Sequence, residues 1–325
     1  MTTERRQTVR DALSVALTVG AYGVAFGAAG IAAGFTVLQT CLFSLLTFTG
    51  ASQFAAVGVI AAGGGAASAV VAASLLGTRN AFYGIQMAPV VRAKGLRRVA
   101  AAHITIDEST GVALAQSRRG AHAMRLGFWV TGSGVFLFWN LFTLLGALGA
   151  KALGNPASWG LDAAVPAAFL GLLWPRLTSA FLRVVAVVSM AFALVVTPWL
   201  PAGLPNYRER ARGHCLWLGG AMSPTTAWIV LGATSALCFG IKLLGYYVPE
   251  GWLAHPRLQH VNALIPISLL SALVMAEGLV EKTSVVVDHR LAGLAVALGL
   301  LLAKAPFPVV VVGAAAASAL VYHLH

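Results

Sequence analysis

The sequence predicts an all-α fold, a polytopic transmembrane helical bundle with a broken or re-entrant segment, and three observations carry that prediction. Hydrophobic residues fill 58% of the 325 positions and charged residues 10%, too little charge to coat a water-soluble protein of this size. The apolar residues gather in about nine stretches near the roughly 20 residues that a spanning helix needs, several of them shorter. These runs are continuous and rich in Ala, Gly, Leu and Val, without the roughly ten-residue alternation of a membrane barrel, so the helix is the element whose backbone can satisfy itself in lipid.

The first stretch runs from Leu13 to Ala33. Arg5, Arg6 and Arg10 precede it like the basic flank of a signal peptide, but the spans that follow make it a retained first helix. Gly20, Gly23, Gly27, Gly30 and Gly34 recur at helical spacing and offer a small-residue face for close packing. The second stretch, Val37 to Ala62, is interrupted by Thr47, Thr49, Gly50, Ser52 and Gln53. The third, Ala66 to Val91, carries Arg79 at mid-length.

Two basic clusters come next, Arg92 to Arg98 and Arg118 to Arg125, and both belong on the cytoplasmic side. The piece between them contains Asp107 and Glu108 and is expected to be re-entrant or interfacial. With a cytoplasmic N-terminus, three full crossings would put the Arg92 cluster outside. One of the first three stretches must then turn back or consist of half-helices, and Gly50 to Gln53 is the expected break.

Further spans are expected at Leu126 to Leu148, Leu161 to Trp174 and Phe181 to Leu200. Asn155 and Pro156 mark an outer turn, and Arg176 and Arg183 an inner one. Four shorter spans follow a polar, basic stretch: Trp228 to Tyr247, Val261 to Leu279, Leu291 to Ala303 and Phe307 to Tyr322. This divides the chain into a membrane module at 1–205, a linker at 206–224 and a second, four-helix module at 225–325.

The net charge of +12 lies in short clusters beside apolar runs, which fits loops touching anionic lipid and not a nucleic-acid surface. Cys41, Cys215 and Cys238 have no metal-ligand spacing and read as packing residues. No metal or cofactor is expected, since the histidines lack ligand spacing. No phosphate-cradling loop, nucleophile elbow or zinc helix motif is present, so catalysis is not expected.

Several polar residues could carry transport chemistry. Gly50, Ser52 and Gln53 put a glycine, a hydroxyl and an amide within a span, where irregular backbone belongs against protein or a wet cavity. They could equally serve close helix packing. Arg79 has a planar fork that suits a carboxylate, and a structural ion pair with Asp107 or Glu108 is an equal reading. Asp107 and Glu108 suit proton relay or ammonium binding, or a solvated loop. Lys242 could snorkel to headgroups or face the other module. Pro266 interrupts its span and frees backbone carbonyls.

The motifs Tyr22-Gly23-Val24-Ala25-Phe26-Gly27, Ser44 with Gly50-Ala51-Ser52-Gln53-Phe54, Gly77-Thr78-Arg79-Asn80-Ala81-Phe82-Tyr83-Gly84, Asp107-Glu108 and Trp139 with Leu144-Leu145-Gly146 stand in this order over residues 10 to 205. Taken together, they resemble the AzlC-type branched-chain amino acid permeases. Residues 225 to 324 resemble the small partner, AzlD, in length, four short spans and the Pro266 to Val274 segment. Three departures stand out. Gly77 replaces the family's usual asparagine, moving a polar contact to Asn80 or removing it. Lys242 stands where AzlD proteins tend to carry arginine. The run Tyr207 to Arg212 stands where AzlC proteins have a last helix, as in a fusion of the two subunits or after a change of reading frame.

The resemblance implies a multi-pass secondary transporter that exports branched-chain or other large neutral amino acids across the bacterial inner membrane. Its expected partners are the amino acid, the lipid bilayer and the two modules for each other, with no nucleic acid. Gly50, Ser52, Gln53, Arg79 and Asn80 are the expected substrate site, Asp107 and Glu108 couple a proton or meet the ammonium, and Lys242 and Pro266 lie at the module interface. A passive channel for small neutral solutes and a membrane-embedded enzyme are the alternatives.

Overall fold

The computed structural model describes residues 3–61, 64–153, 157–196, 224–248, 256–281 and 284–324. These form an α-helical membrane protein whose one departure from helix, among the described residues, is a two-residue antiparallel pair, Val280–Glu281 with Ser284–Val285. The linker expected at 206–224 lies outside the described residues, apart from Pro224. So do Cys215, the Asn155-Pro156 turn and the Tyr207 to Arg212 run.

The first apolar stretch forms two helices, α1 (Thr3–Gly20) and α2 (Gly23–Ala32), both packed on the long α8 (Ala121–Leu153). The small-residue face is split between neighbours. A Cβ on Gly27 would stand 2.6 Å from the Ala147 nitrogen on α8, whereas one on Gly30 would stand 2.6 Å from Thr40 Cγ2. Gly34 belongs to no helix face; it takes φ +90° in the turn beyond α2.

The second stretch is also broken, into α3 (Val37–Thr47) and α4 (Gly50–Ala61). A capping box fixes the start of α3: Gln39 N–H donates to Thr36 Oγ1 at 3.2 Å, and Thr36 N–H donates to Gln39 Oε1 at 2.9 Å. Its end is set by Phe48, which takes the left-handed conformation at φ 37°. The break therefore falls at Phe48 and Thr49, and Gly50 to Gln53, expected to be the interruption, form the first turn of α4. At 11 and 12 residues, each piece reaches about 17 Å, roughly half the hydrocarbon thickness.

Unbroken α5 (Ala66–Val91) follows. The segment between the basic clusters repeats the broken pattern as α6 (Leu96–His103) and α7 (Asp107–Ala115), separated by Ile104 to Ile106. After α8 come α9 (Leu161–Leu173) and α10 (Ala180–Val196). The C-terminal helices are α11 (Pro224–Gly245), α12 (Pro256–Leu279), α13 (His289–Leu302) and α14 (Phe307–Leu324).

These last four helices pack against the earlier ones: α11 on α5 and α3, α12 on α10 and α9, and α13 with α14 on each other and on α9. Glycine makes the α5–α11 contact close. A Cβ on Gly84 would stand 3.0 Å from the Lys242 carbonyl oxygen, and one on Gly245 would strike the Ala81 backbone. A hydrogen bond of 2.7 Å between His289 Nε2 and Asp162 Oδ2 ties the start of α13 to the start of α9.

The outer surface suits lipid. Along α10, Phe181, Val184, Val188, Phe192 and Val195 are all more than half exposed and recur every three or four residues, an apolar stripe too long to leave in water. Three helical stretches, Glu4–Ala32, Ala121–Ala152 and Pro224–Gly245, are long and apolar enough to cross a membrane, alongside shorter apolar helices.

Candidate functional site

Both helix breaks face one cavity of about 310 Å³. Its polar lining comes from the start of α4 (Thr49, Gly50), from mid-α5 (Arg79, Asn80), from the start of α7 (Asp107, Glu108) and from Arg176 in the turn after α9. The apolar lining includes Val19, Phe48, Phe54, Ile106, Val135, Trp139 and Leu172, with Leu270 contributed by α12.

The centre of the polar wall is Asp107. Its Oδ2 stands 2.8 Å from Arg79 Nη1 and also accepts a hydrogen bond from Arg176 Nη2. The Arg79 contact is an ion pair whose N–H direction misses the carboxylate, so Nη1 and Nε both keep unspent donors at a side chain that is 7% exposed. Two guanidinium groups thus share a single carboxylate oxygen. Glu108 has no ion-pair partner among the described residues, and Asp107 Oδ1 accepts no hydrogen bond.

Further hydrogen-bonding groups are left unspent around the same space: Asn80 Nδ2, Trp139 Nε1 and Thr49 Oγ1. The first turn of α4 adds backbone N–H groups, which have no partners within their own helix. Such a helix start attracts anions. Gly50 keeps it reachable, since a Cβ there would stand 3.1 Å from the Trp139 ring.

Of the residues expected at the site, Gly50, Arg79, Asn80, Asp107 and Glu108 line the cavity. Ser52 and Gln53 are fully buried behind it, and Gln53 Nε2 donates to the Phe43 carbonyl at 3.1 Å, bracing α4 against α3. Lys242 is fully buried, its Nζ donating to the Phe48 carbonyl at 2.7 Å and the His103 carbonyl at 2.8 Å. Pro266 falls within α12, but its side chain lies outside the described residues. Among the described residues, no three His, Cys, Asp or Glu side chains gather to hold a metal.

Three residues acquire importance that reading along the chain did not assign them. Along the chain Arg176 marks only an inner turn, and Trp139 only part of a motif. Glu277 of α12 is 8% exposed with its Oε1 unpartnered, 3.1 Å from where a Cβ on Gly58 would stand. An acidic residue near the end of an apolar span was a visible signal for it.

The region that builds most of this site is similar to a known family. Residues 14–153 match the AzlC protein family model. The match covers under half of the chain and takes in the C-terminal end of α1 and α2 to α8, hence both breaks, Arg79, Asp107, Glu108 and Trp139. Arg176, Lys242 and Leu270 lie beyond the matched residues. No curated protein and no solved structure matches the chain.

Proposed function

We propose that this chain is a multi-pass secondary transporter of branched-chain or other large neutral amino acids, exporting them across the bacterial inner membrane. The observation that carries the reading is the charge arrangement at the cavity: two arginines on one aspartate oxygen, beside an open helix start and an unpaired glutamate. Arg79 keeps unspent N–H donors, and a substrate carboxylate meets them together with the first turn of α4. The substrate ammonium then meets Glu108 or the free oxygen of Asp107. Phe48, Ile106, Val135, Leu172 and Leu270 surround the side chain with apolar surface. The volume of about 310 Å³ lies at the small end of the roughly 300–1,000 Å³ typical of ligand sites.

The similarity of residues 14–153 to AzlC supports the substrate class. In this reading the chain joins an AzlC-like module, 1–205, to an AzlD-like module, 225–325, which fixes their stoichiometry at one to one. The assay that tests it is counterflow: proteoliposomes loaded with unlabelled leucine should transiently concentrate external labelled leucine. A passive channel equilibrates the label without overshoot, and that result would remove the transporter reading. Loss of intracellular leucine, isoleucine and valine in expressing cells, relative to cells without the protein, would report export.

A further inference from the structure

The cavity uses the N-terminal ends of the two broken helices, while their partners' C-terminal ends converge on Lys242. Helix α3 ends on the Phe48 carbonyl and α6 on the His103 carbonyl, and both accept hydrogen bonds from Lys242 Nζ. Each helix end carries roughly half a negative charge. In lipid no bulk water neutralises it, so two such ends that meet need donors between them, and a cation suits their shared negative charge.

Phe48 is shaped for that cation. Its left-handed backbone, φ 37°, is rare for an aromatic residue and turns the carbonyl toward Nζ. Its ring centroid lies 5.4 Å from the same ammonium, within cation–π range.

The ammonium arrives on α11 together with two flanking contacts. Ser235 Oγ meets Thr47 Oγ1 at 2.7 Å beside the α3 end, and the Tyr246 hydroxyl meets Thr105 Oγ1 at 2.8 Å beside the α6 end. Positions 235 and 242 share one face of α11 by their spacing of seven, and Tyr246 follows directly after the helix. This one segment from the C-terminal part of the chain therefore touches both breaks through three polar groups.

Carbonyls at half-helix C-termini are also the groups with which broken-helix transporters hold alkali-metal ions. We propose that Lys242 is a positioning residue acting as a tethered cation, joining the α3 and α6 ends in place of a bound alkali-metal ion. It thereby sets the separation of the α4 and α7 starts across the cavity. The consequence for substrate rests on the amino acid reading above, whereas the electrostatic clamp does not depend on it.

Two series of measurements on the purified full-length chain separate these points. In the first, the thermal midpoint is measured without substrate in sodium, potassium, lithium and choline chloride at equal ionic strength. Wild type should ignore the choice of cation. Lys242→Ala vacates the space between the carbonyls, so its midpoint should fall in choline and recover with a small alkali cation. Lys242→Met fills the same space with a neutral chain and should not recover.

In the second series, leucine affinity should drop by about tenfold to a hundredfold in Lys242→Ala in choline, the scale of one charge-assisted hydrogen bond, and return with the recovering cation. Lys242→Arg should fold and remain indifferent to the cation. A wild-type midpoint that depends on sodium, a Lys242→Ala protein with unchanged midpoint and affinity, or one that no alkali cation restores would each overturn the proposal. If Lys242→Ala does not survive extraction, a Lys242→Arg protein whose stability becomes sodium-dependent overturns it as well. Absence of leucine binding by wild type would remove the substrate reading alone, and the substrate-free series would still decide on the clamp.

Discussion

The two broken helices have the same layout but opposite electrostatics where they restart. At the start of α7 the chain supplies its own anions, Asp107 and Glu108 in the first turn, and the Ile106 N–H donates to Ser109 Oγ at 3.0 Å. That helix start is satisfied internally, and its aspartate is committed to Arg79 and Arg176. The first turn of α4 has no acidic residue. Its positive end is left for something else, beside an arginine, Arg79, that keeps unspent N–H donors. The comparison teaches that one break positions charge and the other leaves room for it, which is the asymmetry a zwitterion needs.

The strongest way to break this comparison is to remove the shared anion. Asp107→Asn leaves two guanidinium groups facing each other with no carboxylate between them. Breaking a buried ion pair from one side costs roughly 3–5 kcal/mol, an upper bound for Asp107, which is 23% exposed, so the variant should lose folded yield, measured by monodisperse protein recovered from membranes and by its unfolding midpoint. Normal yield and midpoint would mean that Asp107 does not hold the arginines together.

Arg79→Lys is the next largest and the more informative change, because it keeps the charge and removes the planar fork. Lysine offers a point charge where the arginine keeps unspent N–H donors. The protein should assemble, with leucine affinity reduced by about one to two decades, the equivalent of a charge-assisted hydrogen bond of roughly 1.5–3 kcal/mol. Equilibrium binding to purified protein checks this; unchanged affinity would assign Arg79 to the scaffold.

A pair of glycine substitutions sharpens the contrast between the two restarts. At Gly50 a Cβ would stand 3.1 Å from the Trp139 ring, so Gly50→Ala should push the ring into the cavity and weaken leucine binding while leaving the fold intact. At Gly111, in α7, a Cβ meets nothing within 4 Å. Gly111→Ala should leave binding alone and stabilise the helix by about 0.5–1 kcal/mol, read as a small rise in the unfolding midpoint. Equal effects at both positions would deny the α4 start its special role.

Much of the helical inventory was legible in the chain, since apolar runs of spanning length admit few folds in lipid. The third, fourth and fifth long stretches appear as α5, α8 and α9 close to their expected places. The break in the second stretch was expected at Gly50 to Gln53 because glycine and polar side chains stand there. It falls instead at Phe48, where an aromatic residue adopts a backbone that its own preference disfavours and that its ring contacts with Phe136 and His103 hold in place. Arg79 and Asp107 were each visible as costly charges, but Arg176 was not, because its reach to Asp107 depends on how the α9 turn returns to the cavity.

Composition and periodicity by themselves determined that this is a helical protein for lipid, that charge inside it must be accounted for, and that Gly50, Ser52, Gln53, Arg79, Asp107 and Glu108 were residues to account for. These are properties of single residues against a solvent: an apolar run or a buried charge has a cost wherever the rest of the chain goes. Only the tertiary structure decided which charges share an oxygen and that Leu270 closes the cavity. It also decided that Lys242 reaches two carbonyls, at residues 48 and 103, from a helix far along the chain. Those are properties of pairs brought together by packing, and glycine-lined contact between α5 and α11 is what brings the ammonium within reach of both helix ends.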